Sequence, residues 1–227
     1  ASSANVVIGD GAVSGQIFTL TTSVDLGAPF TGGAGNDNFY GTLIGDLATG
    51  TTLNPGDNLI GGDGTDTLNL TVSGNPTSTF TVSTTGIENF LVGNYDTTPD
   101  ATTTFDVSGA TGLAQVGNVG GDGNSIFSGV ASKVTATLAG TGNVAVNYAS
   151  GVLAGTADTQ AAVVTNAGLK TDYVTLKITD AASTANIAET LALTASGLNN
   201  YIALDALNKH TKLVVDGTGA VTVNAAA

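Results

Sequence analysis

No cysteine, methionine, tryptophan or arginine occurs in the 227 residues, and His210 is the only histidine. Without cysteine there are no disulfides and no thiol chemistry, and the Cys- or His-rich ligand sets of zinc sites are missing. An enzyme needs a converging acid, base or nucleophile. The one histidine lies in the polar run "NKHTK" and reads as a solvated surface residue, so the sequence points away from an enzyme. Charge is also scarce, at 10%, and one-sided. All five lysines lie at Lys133 or later, so residues 1–132 carry twelve acidic groups and no basic one. A nucleic-acid partner needs a basic face and is excluded on that ground. No apolar run reaches the ~18 residues of a membrane-spanning helix, so no membrane span is expected. No basic-then-apolar leader is present, and the chain starts at Ala1, which reads as a processed product or a fragment.

What remains is 32 glycines, 41% hydrophobic residues and a mean hydropathy of +0.26. That is too apolar for wholesale disorder. With aromatics at only 5%, a thin core of small and β-branched residues is expected. The periodicity is two: Leu68, Leu70 and Val72 alternate with Thr67, Asn69 and Thr71. Similar alternation recurs in "FTLTTSV" from Phe18, "YVTLKIT" from Tyr173, "TLALTA" from Thr190, "KLVVDG" from Lys212 and "AVTVNA" from Ala220. Gly, Asn, Asp and Ser fill the turns between them. Leu193, Leu204 and Val215 recur every 11 residues. Evenly spaced short strands suit a sandwich or a solenoid. Hairpin signals are confined to Asp122-Gly123 and Asp216-Gly217, which favours the solenoid. The expected fold is therefore all-β, a parallel β-roll or β-solenoid with a β-sandwich as alternative. A single helical turn is expected at "LDALNKH" (Leu204–His210), and loop excursions at Asn94–Thr104 and Ser150–Gly168. The chain divides into an N-terminal strand or assembly arm (1–30), a Gly/Asp repeat block (31–73) and a solenoid body (74–227).

The repeat block carries the chemistry. "GGAGNDNFY" (Gly32–Tyr40) and "GGDGTDTLN" (Gly61–Asn69) match the nonapeptide G-G-x-G-x-D-x-U-x at every specified position. "GTLIGDLAT" (Gly41–Thr49) and "TLNPGDNLI" (Thr52–Ile60) keep the Asp but lose most glycines. In a calcium-binding β-roll each nonapeptide makes one turn and one short strand. Gly33, Gly35, Gly62 and Gly64 would let backbone carbonyls converge, while Asp37, Asp46, Asp57, Asp63 and Asp66 supply carboxylates. Together these form the all-oxygen cage of about 6–8 ligands that a hard cation needs. Two repeats per coil would stack Asp37 beside Asp57 on one edge and Asp46 beside Asp66 on the other. Carboxylates about 5 Å apart repel by ~3 kcal/mol at an effective dielectric near 20, so calcium is the expected cofactor. "GGDGNSIFS" (Gly120–Ser128) has Ser125 in place of Asp and reads as a structural turn, and "IGDG" near Asp10 is a weaker echo. Asn69-Leu70-Thr71 is the only N-glycosylation triplet, and Asn69 falls inside a predicted strand.

On this block, together with "TTGIENFLV" (Thr84–Val92) and Ile187–Ala225, the chain resembles the RTX (repeats-in-toxin) calcium-binding bacterial surface-layer proteins. The resemblance implies an extracellular, calcium-stabilised protein that self-assembles into a surface layer or filament on the bacterial cell surface, with cell-surface polysaccharide as a further partner. It also implies type I secretion. The array here is short and half degenerate, and it lacks the long tandem run near the C-terminus. An RTX accessory domain of a larger secreted enzyme or adhesin is the alternative. A carbohydrate-binding solenoid is the third reading and would need an exposed aromatic or Asn/Asp stripe. For self-assembly, the N-terminal "ANVVIGDGAVSGQIFTL" is the candidate donated strand.

Overall fold

The computed structural model describes residues 7–8, 12–96, 98, 101–182, 188–205 and 210–225. They form a β-solenoid of about eight turns built from two parallel sheets. One sheet has nine strands, from Ile17–Thr19 to Lys212–Gly217; the other has eight, from Leu59–Ile60 to Ala220–Ala225. From Asn38–Ile44 onward consecutive strands alternate between the sheets, so each of these coils contributes one strand to either face, while Ile17–Thr19 pairs with Asn38–Ile44 in the nine-stranded sheet. Every ladder in both sheets is parallel, so the sandwich alternative falls. Neither hairpin signal makes a hairpin: Asp122-Gly123 lies at the corner between Gln115–Gly120 and Asn124–Val130, and Asp216-Gly217 closes the strand Lys212–Gly217.

Strand alternation sets the core. Along one line through the nine-stranded sheet, Phe39, Leu68, Phe90, Val116, Ala136, Ala162 and Leu193 sit directly beside one another in successive coils. All seven are buried. Their neighbours in sequence face outward, as period-two patterning requires. From the facing sheet, Phe105 and Phe127 meet Phe90 edge-on, with ring centroids 5.1 and 5.4 Å away. Phe18 stacks on Phe39 at 4.5 Å. The 11-residue recurrence is one half-coil: Val215 lies beside Leu193 in the same sheet, and Leu204 belongs to the opposite one.

Five of the predicted strands appear where the alternation placed them. The exception is "FTLTTSV", where only Ile17–Thr19 is a strand and Thr21 onward turns away. Asp25 draws the chain round there, accepting hydrogen bonds from the Thr21 N–H and hydroxyl. The expected excursion at Ser150–Gly168 contains a nine-residue strand, Thr159–Ala167, so only its first half is a loop. The other excursion, Asn94–Thr104, is overlapped by strand only at its ends, by Asn94 of Asn89–Asn94 and by the first three residues of Thr102–Thr111. The helical turn expected at Leu204–His210 and the echo at Asp10 fall largely outside the described residues.

The aromatic cluster predicts its own test. Phe105 is fully buried between Phe90 and Phe127. Phe105→Ala should cost about 3–5 kcal/mol in urea unfolding, the usual range for a core Phe truncation. A loss below ~1 kcal/mol would show that the two sheets do not share a packed interior.

Candidate metal centre: an acid ladder on one edge

The two full-consensus turns lie one above the other. Ala34 bridges Asp63, and the Asp63 N–H donates to the Gly33 carbonyl at 2.8 Å. The glycines are explained by this contact. A Cβ on Gly61 would lie 1.8 Å from the Gly86 carbonyl oxygen of the next coil, and one on Gly32 would lie 1.9 Å from that of Gly61. Gly62 and Gly64 also hold left-handed φ values of +107° and +129°, with the Gly33 and Gly35 carbonyls in the space a Cβ would need. Gly35 is buried under residues 13–15.

Within this stack the aspartates pair differently from the expectation. Asp37 lies beside Asp66, 29 residues on, and its N–H donates to Asp66 Oδ1 at 2.7 Å. Asp57 belongs to another edge, where its Oδ1 accepts the Asp25 N–H at 2.8 Å. Asp46 sits at a third corner, accepting the N–H and hydroxyl of Thr77 and the N–H of Ser78. The predicted pairs Asp37–Asp57 and Asp46–Asp66 do not form. The physical reason is strand length. Asn38–Ile44 is a seven-residue strand, so "GTLI" of the first degenerate copy is strand rather than turn, and one coil takes 29 residues instead of two nonapeptides.

Asp37 and Asp66 are two rungs of a longer ladder. The Gln16 N–H donates to Asp37 Oδ1, the Asp37 N–H to Asp66, and the Asp66 N–H to Glu88 Oε2 at 2.7 Å. Each acid thus accepts the amide at the equivalent position of the preceding coil. Ala114 takes the next place, its N–H reaching only the Glu88 carbonyl. The pattern resumes later, where the Asp158 N–H donates to Glu189 Oε2 and Asp158 also pairs with Lys133 at 2.7 Å. Glu88, Asp158 and Glu189 were not anticipated as part of any site. The signal was present: each acid directly precedes the Asn or Thr that opens a strand, in "DNF", "DTL", "ENF", "DTQ" and "ETL".

Charge state follows from burial. Burial pushes the Asp66 carboxyl above the usual carboxylate range. The Asp37 amide opposes that shift, and the charges of Asp37, Glu88 and Asp63 add to it. Asp57 is raised in the same way, by burial first, with Asp25 adding. Asp46, fully exposed, is lowered to about 2 by the Thr77 hydroxyl and the Ser78 and Thr77 amides.

Among the buried aspartates that the repeats single out, only Asp66 leaves a carboxylate oxygen for a hard cation. Both oxygens of Asp37, Asp46 and Asp57 accept hydrogen bonds. Asp66 Oδ2 is buried and has no hydrogen-bond partner. A Cβ on Gly61 would come within 2.3 Å of it, so only glycine admits the carboxylate there. Among the described residues no three acidic or histidine side chains gather as a metal set, so the remaining ligands would be turn carbonyls. His210, expected as solvated, is half-buried, with its Nδ1 against the Ala188 carbonyl. Ser125 is buried at the start of the strand Asn124–Val130, and Asn69 is half-buried in Thr67–Ser73. Among the described residues no helix is long and apolar enough to cross a membrane. The chain matches no protein-family model, no curated protein and no solved structure.

Two opposite pH dependences result. The raised groups, Asp57 and Asp66, bind protons more tightly in the folded chain. Their contribution to stability is complete below the unfolded carboxyl value of about 3.9 and is lost as pH rises through the folded value. Asp46 contributes above its ordinary value of 3.8, and that contribution is lost as pH falls toward about 2. In chelator, Asp66→Asn, which keeps the Oδ1 acceptor, should melt higher than the parent at pH 7, and the difference should vanish near pH 4. A lower Tm for Asp66→Asn at pH 7 would mean that the ionised carboxylate is favoured without a cation.

Proposed function

We propose that the chain is a non-catalytic, calcium-stabilised structural protein that self-associates into a surface layer or filament outside the bacterial cell. Self-association is carried by one observation, the difference between the two ends of the solenoid. At the N-terminal end Phe18 and Leu20 are 3% exposed, and Phe18 is covered by Phe39. In the last described coil the inward row is left uncovered by the described residues. Leu213 and Val215 continue the rows of Leu191 and Leu193, yet they are 44% and 49% exposed against 0% and 1%. Lys212–Gly217 and Ala220–Ala225 pair on one side only, each being the last strand of its sheet. Open edges of this kind template further pairing. A strand donated by a second copy would complete both the ladder and the core. The N-terminal arm is the candidate donor; of it, Val7–Ile8 and Ala12–Val13 form a small antiparallel pair, and 1–6 and 9–11 lie outside the described residues.

Calcium fits this reading as a cross-bridge between coils. Asp66 would hold it together with carbonyl oxygens of the stacked turns 32–37 and 61–66. The cation would supply positive charge where three acids stack, relieving the repulsion that burial sharpens. The RTX-like turns support that assignment, and they support an extracellular setting, where calcium modules bind at about 10⁻⁴–10⁻³ M.

Light scattering and electron microscopy with millimolar calcium, then with excess chelator, test both parts. Wild-type chain should assemble with calcium and loosen in chelator. The double variant Leu213→Lys/Val215→Lys, and a chain lacking residues 1–15, should stay monomeric while keeping a β-sheet circular dichroism spectrum. Assembly that survives both changes would overturn end-to-end joining. A wild-type chain that remains monomeric throughout favours the competing reading, a module of a larger secreted enzyme or adhesin.

A further inference from the structure

The outer face of the nine-stranded sheet carries a groove of about 380 Å³ that the assembly reading does not use. Two exposed tyrosines mark it, Tyr40 at 45% and Tyr95 at 57% exposure. Tyr40, Asn69 and Leu91 lie beside one another in three successive coils, and Thr42 and Thr71 form the next row. Two coil steps separate Tyr40 from Leu91, about 10 Å at a strand spacing of about 4.8 Å. Tyr95 is laid down on the sheet by two glycines. A Cβ on Gly93 would come within 2.8 Å of the ring, and one on Gly120 within 3.0 Å of its hydroxyl. The groove is thus walled by tyrosine rings and floored by hydroxyl and amide side chains.

No charged residue lines it. In a chain of net charge −13, with twelve acidic groups and no basic one in residues 1–132, an uncharged groove selects for a ligand without charge. Its volume falls in the range of small-ligand sites, about 300–1,000 Å³. Flat rings bordering Thr and Asn suit a molecule with apolar C–H faces and a rim of hydroxyls. We infer that this groove binds a neutral oligosaccharide, with Tyr40 and Tyr95 stacking on sugar rings and Thr42, Asn69 and Thr71 hydrogen-bonding their hydroxyls. The inference stands apart from self-association, which rests on the C-terminal edge.

The purified chain is titrated with neutral hexasaccharides of glucose, mannose and N-acetylglucosamine, with calorimetry and tyrosine fluorescence as readouts. At least one should bind at micromolar to millimolar concentration. Tyr40→Ala and Tyr95→Ala should each weaken it tenfold or more. Gly93→Ala, which displaces the Tyr95 ring, should weaken it as well. Tyr201→Ala, whose ring meets Tyr173 on the other sheet, and the Leu213→Lys/Val215→Lys edge variant should bind as wild type. Absence of binding by all three sugars at 10 mM, or binding unaffected by both groove tyrosines, would overturn the assignment. Loss of self-association in Tyr40→Ala or Tyr95→Ala without any sugar binding would overturn it too, and would give the groove to a second copy of the chain.

Discussion

Parallel coils stacked at a strand spacing of about 4.8 Å leave almost no room at their corners, and this closeness governs the rest of the structure. Where the chain turns between sheets, the carbonyl of one coil comes against the Cα of the next. At Gly32 and Gly61 that carbonyl occupies the place of a side chain. The same closeness stacks any residue at a corner on its equivalents above and below. An acid there meets other acids, so its carboxylate must find donors or be neutralised.

The ladder of Asp37, Asp66 and Glu88 is the solution adopted. Each carboxylate takes an amide from the preceding coil, turning a backbone donor with no strand partner into a tie between coils. Such charge-assisted bonds are stronger than neutral ones. They do not remove the repulsion, and burial makes it felt at Asp66, whose second oxygen is left over. Further along, Lys133 beside Asp158 supplies a cation from the chain itself. The first half of the molecule has no lysine to do the same.

The fold was legible because a solenoid repeats its local rules. Alternation at Leu68–Val72 and the 11-residue recurrence of Leu193, Leu204 and Val215 report strand and half-coil directly. The site was legible only in part. The glycines and aspartates of the two full repeats mark two turns that do stack on one another, each just ahead of a strand. Their partners were misjudged because residue spacing does not reveal how far a strand runs before it bends. Asn38–Ile44 absorbs a stretch that spacing assigned to a turn. Glu88 escaped because it lacks the glycines that made Asp37 and Asp66 conspicuous, although it occupies the same position before a strand. The tyrosine groove was invisible for another reason: Tyr40 and Tyr95 are 55 positions apart in the chain and meet only through stacking across coils.

Coil length itself varies widely. Equivalent ladder positions are 21, 29, 22 and 31 residues apart, while the strands between them keep their register. The surplus residues leave at the corners, outside both sheets, so lengthening a corner leaves the interior unchanged. Such an architecture separates what must be conserved for folding from what is free to diversify. New surface loops can be grafted at a corner without redesigning the core, which makes this solenoid a scaffold open to evolutionary and engineered insertion.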